Sequence, residues 1–180
     1  MEIRNCPGLL TEGFAGYSPL FLRRMFHGRK VSHILPYNAP EVDEEDQKKF
    51  MKNQKRISIS GVQEKYSVLL EKNNLRLTEE NEQGTYILKP KPHGLKKTGM
   101  VPANEHLTMQ IAAQVYKIQT AENGLVFFTN NQPAYITKRF DIGPGGIKLG
   151  KEDFASLAGK TEENAGKNFK YNDSYEGITE

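Results

Sequence analysis

Tryptophan is absent from this 180-residue chain, and cysteine occurs only once, as Cys6. A single cysteine excludes an intramolecular disulfide framework and a zinc site built from several cysteines, and it fits a reducing compartment. As a nucleophile, Cys6 would need an activating base, but the first histidine after it is His27. We therefore expect a cytoplasmic protein in which Cys6 has a structural role.

Long apolar runs and a strong charge bias are also missing. No stretch approaches the roughly 20 apolar residues of a membrane-spanning helix, and no apolar signal-peptide core follows Met1. The formal net charge is only +3, from 25 basic and 22 acidic residues, which is too weak a bias to indicate a nucleic-acid partner. Membrane insertion, secretion and direct nucleic-acid binding are therefore disfavoured. The composition, with 37% hydrophobic and 26% charged residues, is typical of a folded globular protein.

The first third of the chain predicts two helices and one strand. Ser18 followed by Pro19 is an N-cap pair, and it predicts a short amphipathic helix that ends before Gly28. Residues 31–35 predict a strand. In residues 41–55 the acidic side chains precede the basic ones, which predicts a solvated helix whose charges complement its dipole.

From residue 57 onward, short β-branched and aromatic runs predict strands around one long helix. The order is strand, strand, strand, helix, strand, strand, at residues 66–70, 75–77, 85–89, 104–115, 124–128 and 134–138. Asn73–Asn74 and Asn130–Asn131 mark the turns of two hairpins. A further short helix is expected at residues 151–158.

The long helix is expected to start at Asn104 as its cap and to pack on the sheet through an apolar stripe. That stripe consists of Leu107, Ile111, Ala112 and Val115. The predicted fold class is α+β, with a mostly antiparallel twisted sheet, one principal helix and small flanking helices.

Residues 58–65 form a turn of small residues that leads into the first hairpin. Backbone N–H groups in such a turn could wrap a polyphosphate, because they supply partial positive charge without bulk. The segment is neither a Walker A sequence nor a complete G-x-G-x-x-G motif, so an ordinary surface turn is the alternative interpretation.

Lys89 ends an otherwise apolar strand and follows this turn by one hairpin. A lysine that projects from a sheet under a glycine turn can neutralise the α- and β-phosphates of ATP, and a carboxylate on a neighbouring helix must hold it. Glu105, near the start of the long helix, is the candidate. The alternatives are an edge lysine with a solvated ammonium group and a glutamate that serves the helix dipole. The order of turn, lysine and helical glutamate favours the ATP interpretation.

Five ordered motifs resemble those of the HipA family of serine/threonine protein kinases, over about residues 57–178. They are Ser58-Ile59-Ser60-Gly61-Val62-Gln63-Glu64-Lys65, Tyr86-Ile87-Leu88-Lys89-Pro90, Asn104-Glu105-His106-Leu107-Thr108-Met109, Thr137-Lys138-Arg139-Phe140-Asp141 and Lys151-Glu152-Asp153-Phe154. The N-terminal residues, with Tyr17-Ser18-Pro19, are similar to the shortened N-terminus of the HipT type, whose missing subdomain is a separate small protein.

The resemblance implies a kinase N-lobe-like fold and a toxin kinase of a bacterial toxin–antitoxin system. It implies ATP with Mg²⁺ as cofactor, an antitoxin of the HipB/HipS kind as partner, and a translation protein such as an aminoacyl-tRNA synthetase as substrate.

Carried over by motif, the resemblance implies a nucleotide site. The residues that would cover or contact the phosphates are Gly61, Val62, Gln63, Glu64, Lys65 and Lys89, with Glu105 as the partner of the lysine. Lys138-Arg139-Phe140 would be the hinge that holds adenine through backbone groups, and no side-chain role is assigned to Lys138, since family members often have glutamate there. Ser58 and Ser60 would be autophosphorylation positions, where a phosphate dianion would repel ATP.

The catalytic loop of that family has no counterpart in this sequence. In the family, the catalytic aspartate and two metal-binding residues lie in a helical C-terminal lobe, and nothing before Glu180 resembles that loop. We therefore expect no catalytic residue and no metal ligand in this chain, and no phosphoryl transfer by it alone. A truncated chain, a disrupted gene or one part of a split protein would explain this.

The expected organisation has three parts. Residues 1–56 form an N-terminal extension, 57–147 the lobe-like sheet and helix, and 148–180 the start of the connection to the C-terminal lobe. Two other interpretations stay open: a non-catalytic module that binds an antitoxin or a partner lobe, and a small RNA-binding β domain, whose binding would depend strongly on salt.

Overall fold

The computed structural model describes residues 3–40, 44–54, 63–92, 98–166 and 169. Its elements, in chain order, are α1 Pro19–Phe26, α2 Glu44–Gln54, β1 Tyr66–Glu71, β2 Asn74–Leu77, β3 Tyr86–Pro90, α3 Val101–Gln114, β4 Asn123–Phe127, β5 Pro133–Lys138, α4 Phe154–Leu157 and α5 Glu162–Ala165. The chain divides into two compact units, residues 1–140 and 141–180. The three-part division made from the sequence stays a prediction.

The five strands form one antiparallel sheet in the order β2-β1-β3-β5-β4. This confirms the predicted α+β class and the strand and helix order. The first hairpin turns at Lys72 and Asn73, one position earlier than predicted, and Lys72 takes the left-handed conformation there with φ of 54°. Asn131, in the second hairpin turn, also has a positive φ, of 61°.

Helix α1 begins and ends as its sequence predicts. The Ser18 hydroxyl accepts a hydrogen bond from the Phe21 amide, and Pro19 fills the first turn, where a missing N–H has no cost. The helix stops at His27 and Gly28, which both have positive φ.

The main core lies on one face of the sheet, between the strands and helices α1 and α2. Strand β3 contributes Tyr86 and Leu88 to this face, and the aromatic ring of Phe26 from α1 packs 5.6 Å from that of Tyr86. On α2, the ring of Phe50 lies 4.6 Å from Tyr66 of β1. Burial of these large side chains supplies most of the driving force for folding of this unit.

Helix α2 is charged, as predicted, but it is not simply solvated. Phe50 and Asn53 are both buried on its sheet-facing side. The Asn53 amide nitrogen donates to the carbonyl oxygens of Ser67 and Thr78 at 3.2 and 3.0 Å, and its Oδ1 accepts from the Ser67 amide at 2.8 Å. Asn53 therefore fastens the end of α2 to β1 and to the residue after β2.

The predicted strand at residues 31–35 is wrong. Only Ile34 forms a bridge, a parallel one with Phe127, flanked by hydrogen bonds between Phe127 and the backbone of His33 and Leu35. Farther along β4, the Leu125 amide donates to the Pro7 carbonyl oxygen. Two short N-terminal stretches thus cover the edge of β4 that faces away from β5.

The prediction for the start and orientation of α3 is also wrong. The helix begins at Val101, so Asn104 lies inside it rather than at its cap. The predicted core stripe faces outward, with Leu107 48% and Val115 66% exposed. The buried side chains of α3 are instead those of Pro102, His106 and Gln110.

The smaller unit contains α4, α5 and a turn at residues 144–146. The Lys151 ammonium lies 2.8 Å from the buried carboxylate of Asp141. Asp153 caps α4 with its side chain, and a capping box starts α5 at Thr161. The predicted helix at residues 151–158 is therefore present in shorter form. Across the described ranges of both units, no helix combines the length and apolar character that a bilayer crossing requires.

Candidate functional site

Lys89 lies on the sheet face opposite the main core. Side chains alternate along a strand, so Tyr86 and Leu88 of β3 enter the core while Ile87 and Lys89 point to the other face. Helix α3 packs on that second face, over β4 and β5. The helix and the lysine therefore share one side of the sheet.

Lys89 and Glu105 form an ion pair between β3 and α3. The Lys89 Nζ donates to Glu105 Oε1 at 2.5 Å, and the two side chains are 21% and 27% exposed. A charge-assisted hydrogen bond of this kind fixes the position of a long, flexible side chain. About one-fifth of the lysine side chain still faces solvent, and its positive charge can attract a phosphate oxygen.

Tyr135 lies directly opposite Lys89 in the β3–β5 ladder, and the Lys89 Nζ is 5.3 Å from the centre of its ring. The tyrosine is buried, at 2% exposure. Burial, with the negative charge of Glu105 as a smaller contribution, raises the pKa of the Tyr135 phenol far above its ordinary value. The phenol therefore stays neutral, and its ring face can interact with the lysine cation.

The residue after Glu105 holds α3 on the sheet. His106 is buried, and its Nδ1 lies 2.9 Å from Oδ1 of Asn123 on β4. The Asn123 amide nitrogen donates to the Ala121 carbonyl oxygen, so Oδ1 is the acceptor and His106 Nδ1 is the donor. Burial lowers the pKa of His106, with the Asn123 bond opposing that shift. Within the described part of the chain, His106 Nε2 is buried without a hydrogen-bond partner.

Three of the predicted phosphate-contacting residues follow one another before β1. The Gln63 amide nitrogen donates to the Pro90 carbonyl oxygen at 3.0 Å, one residue beyond Lys89. Glu64 accepts a hydrogen bond from the Tyr66 hydroxyl at 3.0 Å, and Lys65 is half-buried. Their segment is thus joined to the strand that carries the lysine.

The other predicted residues of this turn lie outside the described residues. They are the two autophosphorylation candidates and the two that precede Gln63, namely Ser58, Ser60, Gly61 and Val62.

The predicted hinge begins at Lys138, the last residue of β5, whose side chain lies on the core face of the sheet, opposite to the face of Lys89. The Lys138 side chain points toward α1, with its Nζ 3.2 Å from His27 Nε2. The amide groups of Lys138 and Arg139 donate to carbonyl oxygens of Glu122 and Thr85. Phe140 is 72% exposed. Backbone contacts to a base at this hinge would therefore come from groups other than those two amides.

No group of three or more histidine, cysteine, aspartate or glutamate side chains suited to a metal ion occurs in the described residues. Reasoning from sequence missed Tyr135, His106 and Asn123 as parts of the site. The strand register could have identified Tyr135. Strands β3 and β5, which precede and follow α3 in the sequence, pair antiparallel and bring residues 89 and 135 opposite each other.

Two comparisons relate the chain to known proteins. A family profile described as the HipA-like C-terminal domain matches residues 57–180, which is more than half of the chain. A protein from Haemophilus influenzae, named "Putative kinase", is 32% identical over 136 residues, covering 73% of this chain. The aligned part is 36% of that protein, so the chain spans about a third of the length of this relative.

Proposed function

The chain belongs to the family of proteins with a HipA-like C-terminal domain, and we propose that it forms the ATP-binding part of a serine/threonine protein kinase. The ion pair between Lys89 and Glu105 is the observation that carries this proposal. In protein kinases, a strand lysine contacts the nucleotide phosphates and a helical glutamate holds that lysine. The Haemophilus influenzae relative is named as a kinase, which supports the same reaction class.

The residues around Lys89 fit a polyphosphate in two respects. The ammonium group is oriented by Glu105, and about one-fifth of the lysine side chain is still exposed. The hydrogen bond of Gln63 to Pro90 brings the end of the predicted phosphate-binding turn next to the lysine. Glu64 and Lys65 follow on that segment. In this proposal Gly61 and Val62 complete the turn, and Mg²⁺ arrives bound to the triphosphate.

At the other end of the nucleotide, we propose that the hinge of Lys138, Arg139 and Phe140 holds adenine through backbone groups. The ring of Phe140 is well exposed and is able to contact a base. Autophosphorylation at Ser58 and Ser60 would then switch the site off by placing negative charge beside bound phosphate.

The wider role proposed for the protein follows the family resemblance. It is a toxin kinase of a toxin–antitoxin system, with an antitoxin partner and a translation protein as substrate, working in the cytoplasm. Since this chain has no segment like the catalytic loop of the family, we propose that it binds ATP but does not transfer phosphate by itself.

Titration calorimetry with ATP and Mg²⁺ tests the proposal directly. We expect the wild-type chain to bind, and Lys89→Ala to weaken binding by about tenfold or more, because a charge-assisted contact contributes about 1.5–3 kcal/mol. Lys30→Ala, which removes an exposed lysine elsewhere in the larger unit, is the charge-matched control and should bind as the wild type does. Absence of ATP binding by the wild-type chain would refute the proposal.

A second candidate function is a non-catalytic module that binds a protein. It is favoured by the outward stripe on α3, where Leu107, Ile111 and Val115 are all exposed. We assign this surface to the remainder of a HipA-like kinase, because the curated relative extends well beyond the aligned part. An unchanged melting temperature in ATP and Mg²⁺ would favour this candidate over the first.

A further inference from the structure

Tyr135 is the residue of the candidate site whose position has no explanation in the proposed function. It is not part of the predicted phosphate turn or the hinge. Yet its ring lies under the reactive end of Lys89, with 5.3 Å between Nζ and the ring centre. The register Lys89–Tyr135 places the two residues on adjacent strands and on the same face of the sheet.

We propose that Tyr135 is a positioning residue that, together with Glu105, holds the Lys89 ammonium group in place for a polyphosphate. This inference rests on the proposed ATP-binding function. It concerns the ring of Tyr135, which acts through the lysine and does not itself touch the nucleotide.

The need for such a residue follows from the flexibility of lysine. A lysine side chain loses much conformational entropy when it is fixed in one geometry. Glu105 restrains Nζ from the helix, and the ring of Tyr135 restrains it from the neighbouring strand. Two restraints from different elements hold the ammonium group in one place, on a side chain of which about one-fifth is still exposed to solvent.

The chemistry of an aromatic ring suits this position better than that of an aliphatic side chain. The negative face of the ring attracts a cation, and this attraction increases as water is excluded. Tyr135 is almost completely buried, so the interaction is well shielded. A leucine would fill part of the space, but it would leave Lys89 with Glu105 as its remaining restraint.

The hydroxyl group of Tyr135 is separable from this role. Thr137, farther along the same strand, lies near the hydroxyl, while the lysine lies against the ring. Tyr135→Phe therefore removes the hydroxyl and keeps the ring face. We expect Tyr135→Phe to retain the preference of the site for ATP over adenosine.

The test compares the dissociation constants of ATP and adenosine for the full chain by titration calorimetry. Replacing Tyr135 with 3,4,5-trifluorophenylalanine keeps the shape of phenylalanine but removes most of the negative charge of the ring face. Relative to Tyr135→Phe, we expect ATP to bind about three- to tenfold more weakly, with adenosine affinity and melting temperature unchanged. Tyr135→Leu should show the same selective loss with some loss of stability.

Tyr86→Leu is the matched control, because Tyr86 is equally buried, at 2% exposure, but on the core face of the same sheet. It should lower the melting temperature without changing the ratio of ATP to adenosine affinity. Equal ATP affinity for the phenylalanine and trifluorophenylalanine proteins would overturn the inference, and so would a parallel loss of ATP and adenosine binding. If the wild-type chain binds no ATP, the proposed function fails as well, which distinguishes that result from a failure of the inference alone.

Discussion

Replacement of Asn53 by alanine should destabilise the larger unit strongly, although Asn53 is a polar residue on a charged helix. Its side chain is 2% exposed and makes hydrogen bonds in both directions with β1 and with Thr78. The residue lies outside the part of the chain that matches the HipA-like family profile. The prediction therefore tests whether α2 is an integral part of the sheet domain.

The magnitude follows from the groups that the substitution leaves behind. The Ser67 carbonyl oxygen keeps a donor, because the Thr78 amide also donates to it at 3.0 Å. The Ser67 amide loses Asn53 Oδ1, and a buried unpaired group costs about 1–3 kcal/mol. The substitution also removes the hydrogen bonds that the Asn53 side-chain amide donates to Thr78. Together, these losses should decrease the free energy of unfolding by about 2–3 kcal/mol. For a chain of this length that lowers the melting temperature by about 4–12 °C.

Urea unfolding followed by far-ultraviolet circular dichroism measures this change, since the chain has no tryptophan to report by fluorescence. Asn53→Asp should be at least as destabilising as Asn53→Ala, because a carboxylate there would face the carbonyl oxygens of Ser67 and Thr78. Asn104→Ala, at an exposed position of α3, is the matched control and should change stability by less than about 0.5 kcal/mol. A loss below about 0.5 kcal/mol for Asn53→Ala would refute the reasoning.

Two further predictions concern stability. Because burial lowers the folded-state pKa of His106 and His33, the unfolded chain takes up protons first, so stability should be full above pH of about 6.5 and decrease below it. His106→Gln should remove part of the decrease seen by denaturant titration between about pH 7 and pH 5; an identical pH profile would contradict this. Gly84→Ala should cost about 1–3 kcal/mol, because a Cβ there would lie 2.1 Å from the Ser67 hydroxyl oxygen. Gly99→Ala, whose Cβ would meet nothing within 4 Å among the described residues, should be tolerated. Equal losses of stability for Gly84→Ala and Gly99→Ala would contradict the expected clash with Ser67.

Local chemistry made much of the fold predictable. The Ser18–Pro19 start of α1 is encoded in adjacent residues, and so are the two asparagine-marked hairpins. The Lys89–Glu105 pairing was also predictable, because the strand with the lysine precedes the long helix with the glutamate by a short stretch of sequence and the pair depends on their order in the chain. Its role in binding ATP stays a prediction.

The features that sequence reasoning missed depend on contacts between distant residues. Periodicity identified the apolar side of α3 and assigned it to the core, but that side is exposed. The buried side of the helix carries His106 and Gln110, whose hydrogen bonds are accepted by Asn123 on β4. Hydrophobicity alone does not show that a polar side chain will find a partner. Residues 31–35 were mistaken for a strand because their composition is β-like, while their single bridge to Phe127 depends on the edge of β4.

The position of Glu105, and with it that of Lys89, depends on how α3 is held. Helix α3 has no side-chain cap at its start in the described structure, so contacts with the sheet must fix it. Glu105 reaches β3 through Lys89, while the next residue, His106, reaches β4 through Asn123. A phosphate group that attracts Lys89 would compete with Glu105 for the same ammonium group and weaken the first contact. Since the His106–Asn123 bond carries no net charge, that competition would leave it intact, and the helix could keep Glu105 in place while the lysine binds its ligand.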